Sequence, residues 1–414
     1  LLDCNNQKIP SIAGISGSGV ITNANNLTVN LLKPNLTFDG AIQGRLVIEP
    51  SADADPGSYM VIGNAQTLAN AELVVRDVEG HGDPIRFAAG VGTFYARRFD
   101  RNRPYLDTEG NPVTLVESRQ KLYVDASRTG GAGDGLSWPT AYQTLKEAME
   151  SPSIDPLGTI VHVAEGTYSN GVMESGADVF RVIVPGNVEL RSEAGAEKTF
   201  IVGAESPTPT SYGCGPGAIR CLKMAQSSRI EGFTITGGRV TDFATKDGGG
   251  CKGNGTLVDC VISNNVAFRG GGVECGGESA PSTFIRCRFL RNRCNQLGAA
   301  LFYSSVAYDC LFEDNLGSDA IYTGAGKVYL YNCTFGPNNA NNAVRTYGQN
   351  NNLAHAYNCV FMKPVVGNEV TQTNMYLHTC LATQPPAKGA LADDDCTVTN
   401  ITSVAEALAF AGLD

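Results

Sequence analysis

The chain has 414 residues, a formal net charge of −10 and 17% charged residues. That acidic balance, without any basic run, excludes nucleic acid and anionic membrane surfaces as partners, and no apolar stretch approaches the roughly 20 residues needed to cross a bilayer. The length assures a sizeable core, and 48 glycines with 8% aromatics suit a turn-rich all-β protein.

No stretch reads as a signal peptide, and the abrupt start at Leu1 reads as a mature or excised segment of something longer. Residues 1–120 are expected to form a separate β-rich module; an irregular extension of the following solenoid is the alternative. They hold a single cysteine, a glycine-rich opening from Gly14 to Gly19, and strand-like runs at Leu27 to Leu32, Arg45 to Glu49, Glu72 to Val78, Ile85 to Ala88 and Thr93 to Arg97. Asp107 to Pro112 is a turn signal. Next come Leu122 to Asp125 and a glycine-rich loop. The amphipathic run Ala141 to Met149 predicts a short helix, capped by Ser137 or Thr140, that covers the open end of a coil stack. Trp138, the sole tryptophan, is expected to pack at this junction.

From there a repeat governs the chain. A cysteine, an apolar residue two places on and an asparagine three places later recur at Cys260-Ile262-Asn265, Cys287-Phe289-Asn292, Cys310-Phe312-Asn315 and Cys333-Phe335-Asn338; Cys359-Phe361 keeps two of the three terms and then has Pro364. A second phrase, small residues before one apolar residue, precedes each: Gly250 before Cys251, Gly272 before Val273, Ala300 before Leu301, Ala320 before Ile321, Ala343 before Val344. Phe233 falls in the cysteine column, and Tyr376 to Cys380 continues the pattern. Short strands with turn residues between them, no helical period and a repeat of roughly 23–27 residues predict a parallel β-helix over residues 121–395. Residues 396–414 read as a C-terminal cap or tail, with a short helix at Ser403 to Ala411 after Asp393-Asp394-Asp395.

Coils stacked about 4.8 Å apart turn each column into a ladder. Phenylalanines and cysteines are expected in the core, with asparagines bonding backbone at an inward turn. Parallel strands hold neighbouring Cβ atoms too far apart for a disulfide, so the column cysteines read as buried thiols. Cys214 and Cys221 are the better disulfide candidates. No CxxC pair occurs and His81, His162, His355 and His378 are scattered, so no metal centre is expected.

Tyr123-Val124-Asp125, Ser137-Trp138, Ala141, Leu145 and Val163 to Tyr168 resemble the opening of bacterial right-handed parallel β-helix proteins of the pectate-lyase-like superfamily. The alternation of Gly-Gly-small-apolar with Phe-x-x-Asn is similar to the repeats of chlamydial polymorphic outer-membrane proteins. Residues 1–90, as in Leu36 to Gly44, more loosely resemble the strand repeats of autotransporter passengers. The resemblance implies the fold over about residues 122–380, and the fold hosts lyases, glycosidases, esterases and adhesins. The catalytic motifs of polygalacturonases and pectate lyases do not carry over. Gly80-His81-Gly82 stands before the solenoid without its partners, Asp393-Asp394 lies near the far end, and no Arg-x-Pro-x-x-Arg segment occurs.

Alternation along the strands predicts one outward line: Lys252, Glu274, Phe302, Tyr322 and Arg345. Beside it the small residues Gly250, Gly272, Ala300, Ala320 and Ala343 are expected to face out, making a shallow groove of roughly 19 Å. Phe302 and Tyr322 would stack on sugar rings, Lys252 and Arg345 would hold carboxylates, and Asp247 and Asp319 would add calcium ligands or an acid. Two functions follow. One is a secreted or cell-surface β-helix, adhesin-like or architectural, contacting extracellular polysaccharide or cell-surface glycan. The other is a polysaccharide lyase or glycoside hydrolase acting in the groove, with calcium as cofactor in the lyase case. Catalytic residues are not assigned by the sequence.

Overall fold

A computed structural model of the protein describes residues 2–398 except 4–7, 32–35, 77–82, 98, 100–102, 131–132, 156–157, 278–279, 325, 337–340, 347–352, 367–374, 385–389 and 393–394. Gly80-His81-Gly82, Asn338, Asp393-Asp394 and the expected helix at Ser403 to Ala411 lie outside the described residues. The chain divides into two compact units, 1–120 and 121–414.

The first unit is built of parallel strands with a core of its own. Val20–Asn30, Ala41–Glu49 and Asn70–Val75 pair in succession, and Leu36–Phe38, Met60–Ile62 and Ile85–Phe87 form a second parallel sheet. The chain alternates between these sheets as it advances, which makes each excursion one coil. Leu27, Ile42, Leu46, Phe38, Met60, Ile62, Phe87 and Phe94 fill the interior.

The second unit is a solenoid of three sheets of 11, 10 and 9 strands, the third opening with an antiparallel hairpin of Met173–Ser175 and Asp178–Val184 before its parallel strands. One coil shows the logic. Thr256–Val258 lies in the first sheet, Val261–Ser263 in the second and Cys251–Gly253 or Val273–Cys275 in the third, each paired in register with its equivalent one coil away. This is a parallel β-helix, right-handed by the general preference of parallel crossover connections. Between the first and second sheets a single residue turns the chain with positive φ: Asp259, Arg286, Asp309, Asn332, Asn358 and Thr379, at 50–54°. Asp and Asn adopt this conformation more readily than most residues because their short polar side chains bond locally. Here they also bond one another along the outside, Asn332 to Asp309 at 3.0 Å and Asn358 to Asn332 at 3.0 Å.

The residue after that turn is the cysteine. Cys260, Cys287, Cys310, Cys333, Cys359 and Cys380 are buried and free. They do more than fill space. Cys310 Sγ accepts from the Cys287 amide at 3.4 Å and donates to the Tyr308 carbonyl at 3.1 Å, and Cys359 and Cys380 serve the preceding coils in the same way. Burial pushes the thiols of Cys260, Cys287, Cys310, Cys333 and Cys359 above their ordinary pKa, so they stay protonated and unreactive. Alkylation of the native protein followed by peptide mass spectrometry should leave Cys260, Cys287, Cys310, Cys333 and Cys359 unmodified, with Cys396, only half-buried, the first of the described cysteines to be labelled. Labelling of the column without unfolding would contradict the register. Cys310→Ala should cost about 1–3 kcal/mol by orphaning the Cys287 amide, and Cys310→Ser should cost less, because the hydroxyl finds the same two partners.

Cys214 and Cys221 do not bridge. Cys221 sits in the solenoid core and contacts the Thr236 carbonyl at 3.1 Å, whereas Cys214 belongs to a satellite cluster with Val240 and Val266. The glycine-rich loop between them carries the two thiols into different packing layers.

The asparagine ladder occupies the next turn, one positive-φ residue beyond the second sheet. Asn265, Asn292 and Asn315 are fully buried. Asn265 Nδ2 donates to Asn292 Oδ1 at 3.0 Å and Asn292 Nδ2 to Asn315 Oδ1 at 3.0 Å, while the same amides reach the Ile235 and Ile262 carbonyls at 3.0 and 2.8 Å. Phe289, Phe312, Phe335 and Phe361 stack inside with centroids 4.6–4.9 Å apart, each burial contributing roughly 1.5–3 kcal/mol.

The helix is shorter than expected, Leu145–Met149, and its cap is Thr144 rather than Ser137 or Thr140. Thr144 and Glu147 form a reciprocal capping box. Leu145, Ala148 and Met149 enter the solenoid core. Trp138 instead lies in a 3-10 turn, 40% exposed, with its ring 4.9 Å from that of Tyr123.

Candidate functional site on the third sheet

Pairing in the third sheet sets Lys223, Lys252, Glu274, Phe302, Tyr322 and Arg345 side by side on successive strands. Their surroundings differ from a simple outward line. Phe302 and Tyr322 are 2% and 5% exposed. They lie outside the solenoid core but stack on each other at 5.9 Å, and Arg269 covers Phe302 with its guanidinium carbon 4.7 Å from the ring centre. Neither ring presents a face to a sugar. The expected row of outward small residues is also corrected. Gly250, Gly272, Ala300, Ala320 and Ala343 are buried, and a Cβ on Gly250 would lie 2.6 Å from Asn265 Nδ2. They are small because the asparagine ladder packs against them, so no lengthwise groove runs there.

The acids are placed differently as well. Asp247 holds Arg269 through both carboxylate oxygens, at 3.1 and 2.8 Å. Asp319 is fully buried and accepts from Ser318 at 2.6 Å and Asn342 at 2.8 Å; burial pushes its carboxyl up against the pull of those bonds. Asp319 is a buried structural partner, and Asp247, half-buried, is taken up by Arg269. Among the described residues no group of three acids, histidines or cysteines is disposed around a metal.

A charged cluster gathers at the other end of the row. Asp178, which opens the strand Asp178–Val184, faces Arg220 at 3.3 Å, Lys252 at 3.5 Å and Lys246 at 3.6 Å, and Lys252 also meets Glu274 at 2.9 Å. Burial disfavours the Asp178 carboxylate, but the charges of Arg220, Lys252 and Lys246 outweigh it and hold the carboxyl below its usual range. Lys223, one strand from Lys252, donates to Ser175 Oγ at 2.6 Å. Three bases surround Asp178, one of them shared with Glu274, and Lys223 adds a fourth. This end of the face is locally positive on an acidic chain.

Beside the cluster lies a concavity of about 590 Å³ lined by Lys223, Lys252, Asn254, Glu274, Gly276 and Tyr303, among others. Tyr303 is the residue that sequence reasoning missed. It follows the strand Leu301–Phe302, carries a φ of 81°, and packs its ring, tilted, on Phe302 at 4.1 Å. A bulky residue in that backbone region is an outlier held by its surroundings. The repeated turns cluster near 50–55°, so Tyr303 departs from the solenoid's own pattern. No signal in the sequence marks a backbone angle.

The three sheets and their internal ladders define the class: a parallel β-helix. No protein-family model matches the chain, and no curated protein matches it. Among solved structures it is similar to pectin methylesterase from carrot, with a TM-score of 0.40 and 12% identity over 69% of this chain and 89% of that one.

Proposed function

We propose that this protein is a secreted or cell-surface β-helix, adhesin-like or architectural, that contacts acidic extracellular glycans in the concavity beside Lys223, Lys252 and Tyr303 without turning them over. One observation carries the reading: a strained aromatic side chain and two lysines converge on an opening of about 590 Å³, a volume suited to a few sugar units. Tyrosine offers an apolar face and a hydroxyl to a pyranose ring, and lysine ammonium groups hold uronate or sulfate as point charges. The absence of catalysis is supported by the fate of the carboxylates. Asp178 and Glu274 are each engaged by a base within 3.6 Å. A glycosidase needs one carboxyl kept protonated near neutrality, and the bases around Asp178 act in the opposite sense. Among the described residues no helix is long and apolar enough to cross a membrane.

Incubation with polygalacturonate, alginate and hyaluronan, followed by reducing-end and unsaturated-product assays, tests the reading. Retardation of at least one polymer in affinity electrophoresis with no new chain ends is the expected result. Release of products that disappears in Lys252→Ala would establish the lyase or hydrolase reading instead.

A further inference from the structure

The outer face of the first sheet carries two aromatic columns. Tyr308, Tyr331, Tyr357 and His378 stack at 4.9, 5.1 and 4.5 Å, and Tyr329, His355 and Tyr376 at 5.6 and 4.8 Å, all within 12° of parallel. Rings stacked along the solenoid axis occupy one another's faces. What they offer solvent is edges: hydroxyls and imidazole nitrogens. Register places His355 opposite Tyr376 and His378 opposite Tyr357, so the two histidines are diagonal neighbours on adjacent strands. Their nitrogens, His355 Nδ1 and His378 Nε2, stand 3.4 Å apart.

That separation is long for a hydrogen bond between imidazoles. It matches another arrangement. Two nitrogens each about 2.0–2.1 Å from one tetrahedral metal ion are roughly 3.3–3.4 Å apart. We propose that His355 and His378 form a two-histidine clip for a first-row divalent cation, bound through His355 Nδ1 and His378 Nε2, with water or an incoming ligand completing the coordination. Each neutral imidazole supplies the required lone pair by holding its proton on its other nitrogen. The stacked tyrosines fix both ring orientations before the ion arrives, which removes most of the ordering cost of a surface chelate. The side chains stacked on the pair are tyrosines, Tyr329 and Tyr376 on His355 and Tyr357 on His378. The spacing of the two histidines, 23 residues, is the spacing of one coil. Imidazole donors and the ordinary affinity order of divalent ions make Cu(II) the tightest occupant, ahead of Zn(II) and Ni(II).

The test uses the full chain with its accessible thiols alkylated beforehand. Titration with Cu(II), followed by calorimetry and electron paramagnetic resonance, should give one equivalent with micromolar or tighter affinity and a spectrum showing two imidazole nitrogens. His355→Asn and His378→Asn should each weaken binding at least 30-fold, while His162→Asn, remote on the same sheet and paired with Glu193, should not. The spectrum of the unmutated protein needs no variant to fold. One nitrogen or none in that spectrum, or undiminished affinity in either clip variant with a native circular dichroism spectrum, would overturn the proposal.

Discussion

Asn292→Ala should destabilise the solenoid by roughly 3–5 kcal/mol, at the upper end of what a single truncation does to a folded protein. The side chain is fully buried and makes four bonds at once. It accepts from the Asn265 backbone amide at 3.2 Å and from Asn265 Nδ2 at 3.0 Å, and donates to the Ile262 carbonyl at 2.8 Å and to Asn315 Oδ1 at 3.0 Å. Alanine removes all of them and leaves a cavity that borders Gly272. Each buried group left without a partner costs about 1–3 kcal/mol. Asn292→Asp separates the contributions, since it keeps the shape and the acceptor but loses both donors and faces carbonyl and carboxamide oxygens. It should be at least as damaging at neutral pH. Guanidinium unfolding followed by circular dichroism measures both. A shift in midpoint worth less than about 0.5 kcal/mol for the alanine variant would mean that the ladder contributes nothing to stability.

The fold was legible because its physics is periodic. A column of cysteines and a column of asparagines at one spacing require stacked coils, and the structure puts Cys287 to Cys359 and Asn265 to Asn315 on single rows. Alternation along a strand was enough to align Lys252 with Glu274 and Phe302. It was not enough to say what covers them. Arg269 arrives from the preceding turn, and its reach over Phe302 depends on a rotamer that no pattern encodes. The small residues were misread for a related reason. Next to a turn the two-residue alternation breaks, and Gly250 faces Asn265 rather than solvent.

Asp178 and Lys223 escaped the sequence reading because they stand in less regular coils, before the cysteine punctuation begins. Their partners Lys246 and Ser175 come from loops and a hairpin rather than from the repeat. The histidine pair was within reach. His355 and His378 look scattered among four histidines in 414 residues, yet one coil period separates them. Any two residues one period apart on an outward column become neighbours.

The proposed binding face is tested most directly through Lys223. It lines the concavity, it is held by Ser175 rather than by the carboxylates of the cluster, and its removal leaves the Asp178 and Glu274 pairs intact. An acidic oligosaccharide drawn from whichever polymer the native protein retards should be titrated calorimetrically into the native protein, Lys223→Ala and Lys223→Arg at low and at physiological salt. The account predicts about a tenfold weaker affinity for the alanine variant, equivalent to roughly 1.4 kcal/mol, substantial retention by arginine, and a salt dependence that is shallower without the charge. Equal affinity of the native and Lys223→Ala proteins at both salt concentrations would contradict it and move the glycan contact off the third sheet.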